Sequence, residues 1–423
     1  MEKRNIRVAW VCSFSNEKMR ARLPFNSGGW FKALYKLLGV TFGRETDSAI
    51  WNTNAIEEME KIDDMELHVI CPVRGLAKNE VVYEDNGIHY YFFREQNSNI
   101  VRFVCHQLFT KYTSRYKKNR RVISRFISEI QPDIVHVIGA ENPYYSLSLL
   151  DVPSNIPTII QLQALLTRLV NVTHVKEERK AFYYKGLLER KIIKKANYIG
   201  TMSPVFRQYI KEEIKPDARF LDITLAMAQK INLEQTEKQY DFVYFSASIS
   251  KAGEEALESF ILAHKRKPDI TLDIVGGYDD AFKEKLDARI KECGIESSIT
   301  FEGRLPSHDD VIRQIRKARF ALLPLKMDFV PNTLHEAMAN GLPVITTITE
   351  GTPFLNEKCQ CVLLSEQNDF QAMSDNMITL LDNEHLGNEL SQNAAAYEYK
   401  SSNNRSIIEK WVKAYKNIIQ SCI

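Results

Sequence analysis

Residues 328–347 read DFVPNTLHEAMANGLPVITT, and this stretch specifies a short helix followed by an apolar strand. Pro331 suits a first helical turn, because the amide hydrogens there have no intrahelical partner. Gly341 suits a left-handed helix cap, and Pro343 prevents the helix from continuing. The sequence therefore predicts a helix over about 332–340, placed between two strands.

Apolar runs of strand length alternate with helical stretches on both sides of this block. The strand-like runs are IRVAWVCSF, MELHVICPV, DIVHVIG, PTIIQLQ and NYIGTMS in the first half, and DFVYFSAS, ITLDIVGG, SITFEG, FALLPL and PVITTI in the second. Parallel strands need long connections, and helices supply them. We therefore predict an α/β fold with two Rossmann-like, doubly wound parallel sheets.

The alternation loosens between residues 215 and 240, which predicts a linker there. We assign 1–220 to an N-terminal domain and 221–403 to a C-terminal domain. The amphipathic segment 404–420 is expected to form a helix that packs back on the first domain. Because ligands of such folds bind at the carboxyl ends of the strands, two facing domains imply a central cleft.

Composition excludes several classes of protein. A net charge of +2 over 423 residues gives no global electrostatic case for nucleic-acid binding. No apolar stretch approaches the roughly 20 residues of a membrane span, and Arg7 interrupts the N-terminal run before it reaches the length of a secretory signal. The seven cysteines are scattered, and the pair Cys359 and Cys361 lacks the partners of a zinc site. We therefore expect a cytoplasmic protein with reduced thiols.

The start of the predicted helix is suited to an anion. The backbone amides of Asn332, Thr333 and Leu334 would point out of the helix and could bind phosphate. Glu336 lies one turn further on and could accept hydrogen bonds from vicinal hydroxyl groups. Asp328, at the preceding strand end, would face the group beyond the phosphates. This spacing is typical of a site for a phosphorylated, hydroxyl-rich ligand.

Residues 241–358 resemble the donor half of the retaining glycosyltransferases of family 4, which have the GT-B fold. The family signature is a pair of acids with seven residues between them, as in Asp328 and Glu336, followed here by EAMANGLPVITT and by the loop TEGTPFLNE. The resemblance implies that Glu336 binds the ribose of a nucleotide sugar and that Asp328 contacts the sugar. It also makes Thr352, in the second loop, a donor-binding candidate.

The sequence departs from the family pattern around the donor. The first acid is Asp328 where the family usually has Glu. The family usually places an Arg and a Lys after the first strand of this domain; in FSASISKAG the Lys matches Lys251, but the Arg position is Ser246. Because Arg grips phosphate with two hydrogen bonds, its loss should weaken diphosphate binding or shift it to backbone amides.

The N-terminal half resembles the family more loosely. In NSGGWFKALYKLL, Gly28 and Gly29 resemble the glycine loop through which the backbone approaches donor phosphates or acceptor, although a Gly-Gly pair alone is equally typical of a turn. A His that touches the sugar in the family is replaced by Gln163. His136, inside an apolar strand, is interpreted as a core histidine, and His335 as a packed helix residue.

Residues 109–126 are basic, with interleaved aromatic side chains. A solvated helix face is the favoured interpretation of such a run. The alternative is contact with an anionic membrane, at the inner face of the cell membrane, which would suit a lipid-linked acceptor. The chain has no GxGxxG after its first strand and no Walker motif, so the sequence gives no support for a dehydrogenase or a P-loop enzyme.

The leading functional prediction is a retaining glycosyltransferase. It would move a sugar from a nucleotide sugar, such as a UDP- or GDP-sugar, to a glycan or lipid-linked acceptor in bacterial surface polysaccharide or glycolipid synthesis. No cofactor is expected, and no metal, because the chain has no Asp-x-Asp motif and the family works without one. The alternative is a catalytically silent GT-B protein that binds a sugar nucleotide or glycan as a partner subunit. A nucleotide-sugar epimerase is a third reading, for which no acid and base residues are evident.

Overall fold

The computed structural model describes residues 5–25, 47–96, 116–172, 176–227, 236–248, 252–326, 331–401 and 403–421. The chain divides into two compact units. The first contains residues 1–226 together with 404–423, and the second is the continuous segment 227–403. The first unit is therefore assembled from two separate parts of the sequence.

The first unit contains an eight-stranded sheet in the order β3-β4-β2-β1-β5-β6-β7-β8, parallel except for the β3–β4 pair. Its strands are β1 Ile6–Val11, β2 Met65–Val73, β3 Glu80–Asp85, β4 Ile88–Arg94, β5 Ile134–Ile138, β6 Thr158–Gln161, β7 Tyr198–Gly200 and β8 Phe220–Leu221. Its described helices are α1 Glu17–Arg22, α2 Ile50–Met59, α3 Lys117–Ile130, α4 Pro143–Ser146, α5 Leu166–Val172, α6 Lys176–Lys195 and α7 Pro204–Glu213.

The hairpin β3–β4 is absent from the sequence-based prediction. Asn86 and Gly87 join its strands with φ angles of 50° and 75°. Two consecutive left-handed residues form the turn that matches the twist of paired strands, and Asn-Gly is the preferred dipeptide for it. The signal was therefore present in the sequence at the Asn-Gly pair.

The second unit contains a six-stranded, fully parallel sheet in the order β11-β10-β9-β12-β13-β14. Its strands are β9 Tyr240–Ser248, β10 Leu272–Gly277, β11 Ile299–Gly303, β12 Ala318–Leu323, β13 Val344–Thr347 and β14 Val362–Ser365. Its described helices are α8 Gly253–Arg266, α9 Asp280–Cys293, α10 His308–Ile315, α11 Asn332–Ala339, α12 Phe370–Asp382 and α13 Glu384–Ser401.

Helix α11 matches the predicted helix closely. Leu334, Ala337 and Met338 have no exposed surface and anchor it in the core of the second unit. Gly341 has a φ of 69°, as expected for a left-handed cap, and Leu342 N–H donates to Ala337 O at 3.0 Å. Pro331 differs from the prediction because it precedes the helix in an extended conformation instead of forming part of the first turn.

The last helix, α14 Asn404–Gln420, packs into the core of the first unit. The Tyr415 hydroxyl accepts a hydrogen bond from Trp10 Nε1 at 3.0 Å and lies 2.6 Å from His136 Nδ1. All three residues are buried. His136 is thus the core histidine expected from the sequence, although its Nε2 has no hydrogen-bond partner among the described residues. Burial lowers the pKa of His136 to about 3, so the ring is neutral.

The chain leaves the first unit at Ala226, a few residues after the boundary at 220 that the loosened pattern suggested. Ile223 and Ala226 are buried in the core of the first unit. Trp411 Nε1 donates to Thr224 O at 2.9 Å, and Asn54 Nδ2 donates to Ala226 O at 2.9 Å. These contacts, which pair residues distant in sequence, hold 223–226 to the first unit.

Helix α3 contains the described part of the basic segment 109–126. Phe126 and Tyr116 are buried, so these two aromatic side chains belong to the core. Arg120 pairs with Asp151, and Arg125 pairs with Glu129. These contacts are those of a solvated helix face. Within the ranges that the structure describes, no helix has the length and apolarity needed to cross a lipid bilayer.

We predict that Tyr415→Phe destabilises the first unit by about 1–3 kcal/mol, because Trp10 Nε1 and His136 Nδ1 would lose a buried partner. All four tryptophans of the chain lie in the segments of the first unit, so urea denaturation followed by tryptophan fluorescence reports on this unit. The matched control is Tyr183→Phe, because Tyr183 lies on α6 of the same unit, is 52% exposed and its change should have little effect. Equal unfolding midpoints for the two variants would contradict the prediction.

Candidate functional site

The parallel sheet of the second unit brings several predicted site residues to one edge. Strands β9, β12 and β13 are neighbours, so their carboxyl ends lie side by side. Ser246 lies near the end of β9, helix α11 follows β12, and Thr352 follows β13. The predicted residues Asp328, Lys251, Gly28 and Gly29 lie outside the described residues.

The first turn of α11 offers two backbone amides to a ligand. The amides of Asn332 and Thr333 have no hydrogen-bond partner among the described residues. Leu334 N–H donates to Pro331 O at 3.0 Å, so the prediction of three unoccupied amides is corrected to two. The correction has a local cause, since the extended Pro331 turns its carbonyl toward the helix start. An anion at this end would still gain from the two amides and from the helix dipole.

Glu336 lies one turn into α11 and is only 7% exposed. Burial raises the pKa of Glu336, while His308 and His335 oppose this shift through their positive charge. His308, the first residue of α10, places its Nε2 4.0 Å from Glu336 Oε1. This separation exceeds a direct hydrogen bond, and His308 Nε2 has no partner among the described residues. The carboxyl of Glu336 therefore keeps capacity to bind hydroxyl groups.

His335 is held by a second buried carboxyl. Its Nδ1 lies 2.9 Å from Glu398 Oε1, on α13, and Glu398 is 2% exposed. Burial by itself would lower the pKa of His335, but Glu398 and, less strongly, Glu336 reverse the effect and leave the pKa raised. The expectation that His335 is a packed helix residue is confirmed. The pair with Glu398 fixes the ring next to Glu336.

Thr352 uses its side chain inside its own loop. The Thr352 hydroxyl donates to Thr347 O at 2.9 Å and accepts from Thr349 N–H at 2.9 Å. Thr352 is fully buried. These bonds shape the turn that follows β13, and contact between Thr352 and a donor stays a prediction.

A pocket opens at the same edge, beyond β12, β13 and β14, and its roughly 300 Å³ of empty space includes open solvent. Lys326 and Glu255 form an ion pair in its wall. None of the predicted site residues that the structure describes belongs to its lining. The lining residues are Glu255, Pro324, Leu325, Lys326, Thr347, Glu366, Gln367, Asn368, Asp369, Phe370 and Met373.

Gln163 belongs to the first unit and follows β6. With the amide oriented to satisfy its neighbours, its nitrogen donates to Glu141 Oε1 at 2.9 Å and its oxygen accepts from Trp51 Nε1 at 3.2 Å. Gln163 therefore has two protein partners at the carboxyl edge of its own sheet. Glu141 is not among the site residues predicted from the sequence.

Comparison with known proteins defines the class of fold. Over 97% of this chain and 100% of the other, the structure is similar to Anabaena Alr3699/HepE in complex with UDP, with a TM-score of 0.62 and 13% identity. At this identity the likeness shows the fold alone. The fold is GT-B, as the sequence resemblance implied.

The second unit matches the model of a known protein family. Residues 228–397 match the family model described as Glycosyl transferases group 1. The resemblance of residues 241–358 is thus confirmed at the level of the group 1 glycosyl transferases.

Two relatives are similar over part of the chain. An uncharacterized glycosyltransferase of Haemophilus influenzae is 29% identical over 148 residues, which are 35% of this chain and 40% of the relative. WcaL of Salmonella typhimurium, a glycosyltransferase named for colanic acid biosynthesis, is 33% identical over 99 residues, or 22% and 24% of the two chains. The matches thus span less than half the length of either relative.

Three residues that contact the predicted site residues were not predicted from the sequence. They are His308 near Glu336, Glu398 paired with His335, and Glu141 bonded to Gln163. Each contact joins residues far apart in sequence. The start of α10 was readable, because Ser307 and Asp310 form a capping box. That motif locates the helix, but it does not reveal that His308 faces Glu336.

We predict that the pair between His335 and Glu398 makes the stability of the second unit depend on pH. The raised pKa of His335 means that its contribution is complete below about pH 6.5 and is lost as pH rises through the raised value. The free energy of unfolding should fall over that range by at most about 1.4 kcal/mol per pH unit. Glu398→Gln should flatten this dependence.

The measurement is thermal unfolding by circular dichroism between pH 6 and 9, with tryptophan fluorescence used to identify the transition of the first unit. The control is Glu389→Gln, an exposed substitution on the same helix α13. An unchanged pH dependence in Glu398→Gln would show that the pair does not control the stability of this unit.

Proposed function

We propose that the protein is a retaining glycosyltransferase that moves a sugar from a nucleotide-sugar donor to a glycan or lipid-linked acceptor. The observation that carries the proposal is the geometry of α11. At its start lie two amides that have no partner within the described part of the chain, and the buried Glu336 lies one turn further on. A nucleoside diphosphate offers the matching groups, namely phosphates for the amides and ribose hydroxyls for the carboxyl.

The donor would bind to the second unit. Glu336 is assigned to the ribose, and the amides of Asn332 and Thr333 to the diphosphate, with Lys251 as the cation. Asp328 is assigned to the transferred sugar. When the bond between sugar and diphosphate breaks, negative charge grows on the leaving phosphate, and oriented amides and a cation stabilise that charge. The proposed mechanism uses these groups and assigns no step to a metal ion.

One position of this arrangement departs from the family pattern, namely Ser246, which stands where the family usually has Arg. Ser246 is half-buried at the end of β9, and the nearby Tyr244 hydroxyl accepts from Ala252 N–H at 3.1 Å. A serine hydroxyl can donate one hydrogen bond to phosphate but carries no charge. The diphosphate would therefore depend more on the α11 amides than it does where an Arg is present.

The class of acceptor and the location are also proposals. The partial similarity to WcaL, named for colanic acid biosynthesis, supports a role in bacterial surface polysaccharide synthesis. We place the enzyme in the cytoplasm, at the inner face of the membrane. Lys117, Lys118 and Arg121 are exposed on α3 and could contact anionic lipid, whereas the buried Phe126 could not insert.

We predict that one nucleoside diphosphate or nucleotide sugar raises the melting temperature of the wild type but not that of Glu336→Ala. A ligand at 100 times its dissociation constant adds roughly 2.7 kcal/mol, which is several degrees. The panel is UDP, GDP and their common hexose derivatives. Glu284→Ala, an exposed change on α9, is the control and should respond like the wild type. Equal shifts in wild type and Glu336→Ala would remove Glu336 from the donor site.

We also predict that Asn332→Pro weakens nucleoside diphosphate binding by about 10- to 100-fold, because it removes one amide that faces a charged phosphate. Proline is favoured at the first helical position, and the extended Pro331, with φ −78° and ψ 160°, is compatible with a following proline. Asn332→Ala is the matched control, since it removes the side chain and keeps the amide. Isothermal titration with UDP and GDP measures both variants. Similar affinities for Pro and Ala at this position would rule out the amide as a phosphate ligand.

A further inference from the structure

The first unit contains a buried carboxyl group, one oxygen of which has no partner among the residues that the structure describes. Glu141 follows β5, at the carboxyl edge of the sheet. Its Oε1 accepts hydrogen bonds from Asn142 Nδ2 at 2.7 Å and from the Gln163 amide at 2.9 Å. Its Oε2 is buried and has no hydrogen-bond partner among the described residues. A buried carboxyl oxygen without a partner costs free energy, so its retention requires an explanation.

The backbone at Gly139 allows the Glu141 carboxyl and the Gln163 amide to lie close together. Gly139 has a φ of 102°, a backbone conformation that residues with side chains rarely adopt. A Cβ at Gly139 would lie 2.7 Å from the Tyr145 hydroxyl, 2.8 Å from Glu141 Oε1 and 3.0 Å from the Gln163 amide. The Tyr145 hydroxyl in turn donates to Ile138 O at 2.6 Å. The glycine thus allows the carboxyl and the amide to approach each other closely.

A half-buried tryptophan completes the group. Trp51, at the start of α2, donates through Nε1 to the Gln163 amide oxygen at 3.2 Å. The order Trp51, Gln163, Glu141 is a continuous chain of hydrogen bonds that holds Oε1 and leaves Oε2 available. A fixed polar group beside an aromatic ring is typical of sites that bind small, polar organic ligands.

The charges at this place select the chemistry of the ligand. Burial, supported by the nearby charge of Glu189, raises the pKa of Glu141 to about 8. A carboxyl group that is protonated near neutral pH offers no charge to an ionic ligand, whereas it can donate a hydrogen bond to a hydroxyl group or accept one from it. The complementary ligand is therefore a neutral hydroxyl group.

We propose that Glu141 Oε2 binds a hydroxyl group of a sugar, with Gln163 and Trp51 holding the carboxyl in position. The proposal rests on the proposed glycosyltransferase function for the identity of the ligand as a sugar. The hydroxyl group could belong to the transferred sugar or to the acceptor, since the chemistry is the same. Glu141 would thus be a sugar-binding residue of the first unit, outside the sequence motif of the second unit.

The test is saturation-transfer difference NMR on the full chain, with UDP-glucose, UDP-N-acetylglucosamine, GDP-mannose and the methyl glycosides of glucose, galactose and mannose as probes. In Glu141→Ala we expect sugar-proton signals to fall by about 5-fold or more, corresponding to the loss of a buried hydrogen bond, while nucleobase signals are unchanged. Glu141→Gln should retain part of the sugar signal, because its oxygen can still accept from Asn142 and Gln163 and its nitrogen can donate.

The matched control is Glu212→Gln. Glu212 is an exposed carboxyl of the first unit on α7, and it takes no part in the hydrogen-bonded group of Trp51, Gln163 and Glu141. Its substitution should leave the sugar signals unchanged. Tryptophan fluorescence melting checks that each variant keeps the fold of this unit.

The outcomes distinguish the transferred sugar from the acceptor as the source of the hydroxyl group. They also distinguish a failure of the Glu141 site from a failure of the proposed donor site. Loss confined to the hexose protons of nucleotide sugars assigns Glu141 to the transferred sugar, and loss confined to methyl glycosides assigns it to the acceptor. Sugar signals that are absent from the wild type, or equal in wild type and Glu141→Ala, overturn the inference and leave a buried water as the partner of Oε2. Missing nucleobase signals in the wild type would instead contradict the donor site on the second unit.

Discussion

The site depends on one constraint, the parallel pairing of strands in the sheet of the second unit. Parallel neighbours must be joined by crossovers, so every strand of this sheet ends at the same edge. The segments after β9, β12 and β13 are therefore adjacent although they are far apart in sequence. Helix α11 starts at this edge, and its buried apolar face fixes the direction of its first amides.

Features set by local sequence were predictable, and features set by long-range packing were not. Helix α11 and helix α14 were located from apolar spacing and from Gly341, because caps and periodicity act over a few residues. The hairpin at Asn86 and Gly87 had an equally local signal. By contrast, the contacts of Glu398 with His335 and of Glu141 with Gln163 join separate elements. No spacing rule connects such residues, because the fold alone brings them together.

Both units place a buried carboxyl group near the carboxyl ends of their strands, but they treat it differently. Glu336 is balanced by the nearby His308 and His335, which offset part of the cost of burying a charge. Glu141 has two amide donors on one oxygen and the negative Glu189 in its vicinity, which favours the neutral acid. Burial therefore raises the pKa of both carboxyl groups, and the two histidines limit the rise at Glu336.

The return of α14 to the first unit also affects how the protein is made. During synthesis a domain folds once its sequence has left the ribosome, in general from the N-terminus onward. Here the second unit is one continuous segment, whereas the core around Trp10 and His136 still lacks Trp411 and Tyr415. The first unit begins to be translated before the second unit, but its core can be completed only after the second unit has been made. Until then Trp10 and His136 lack the buried partners that α14 supplies.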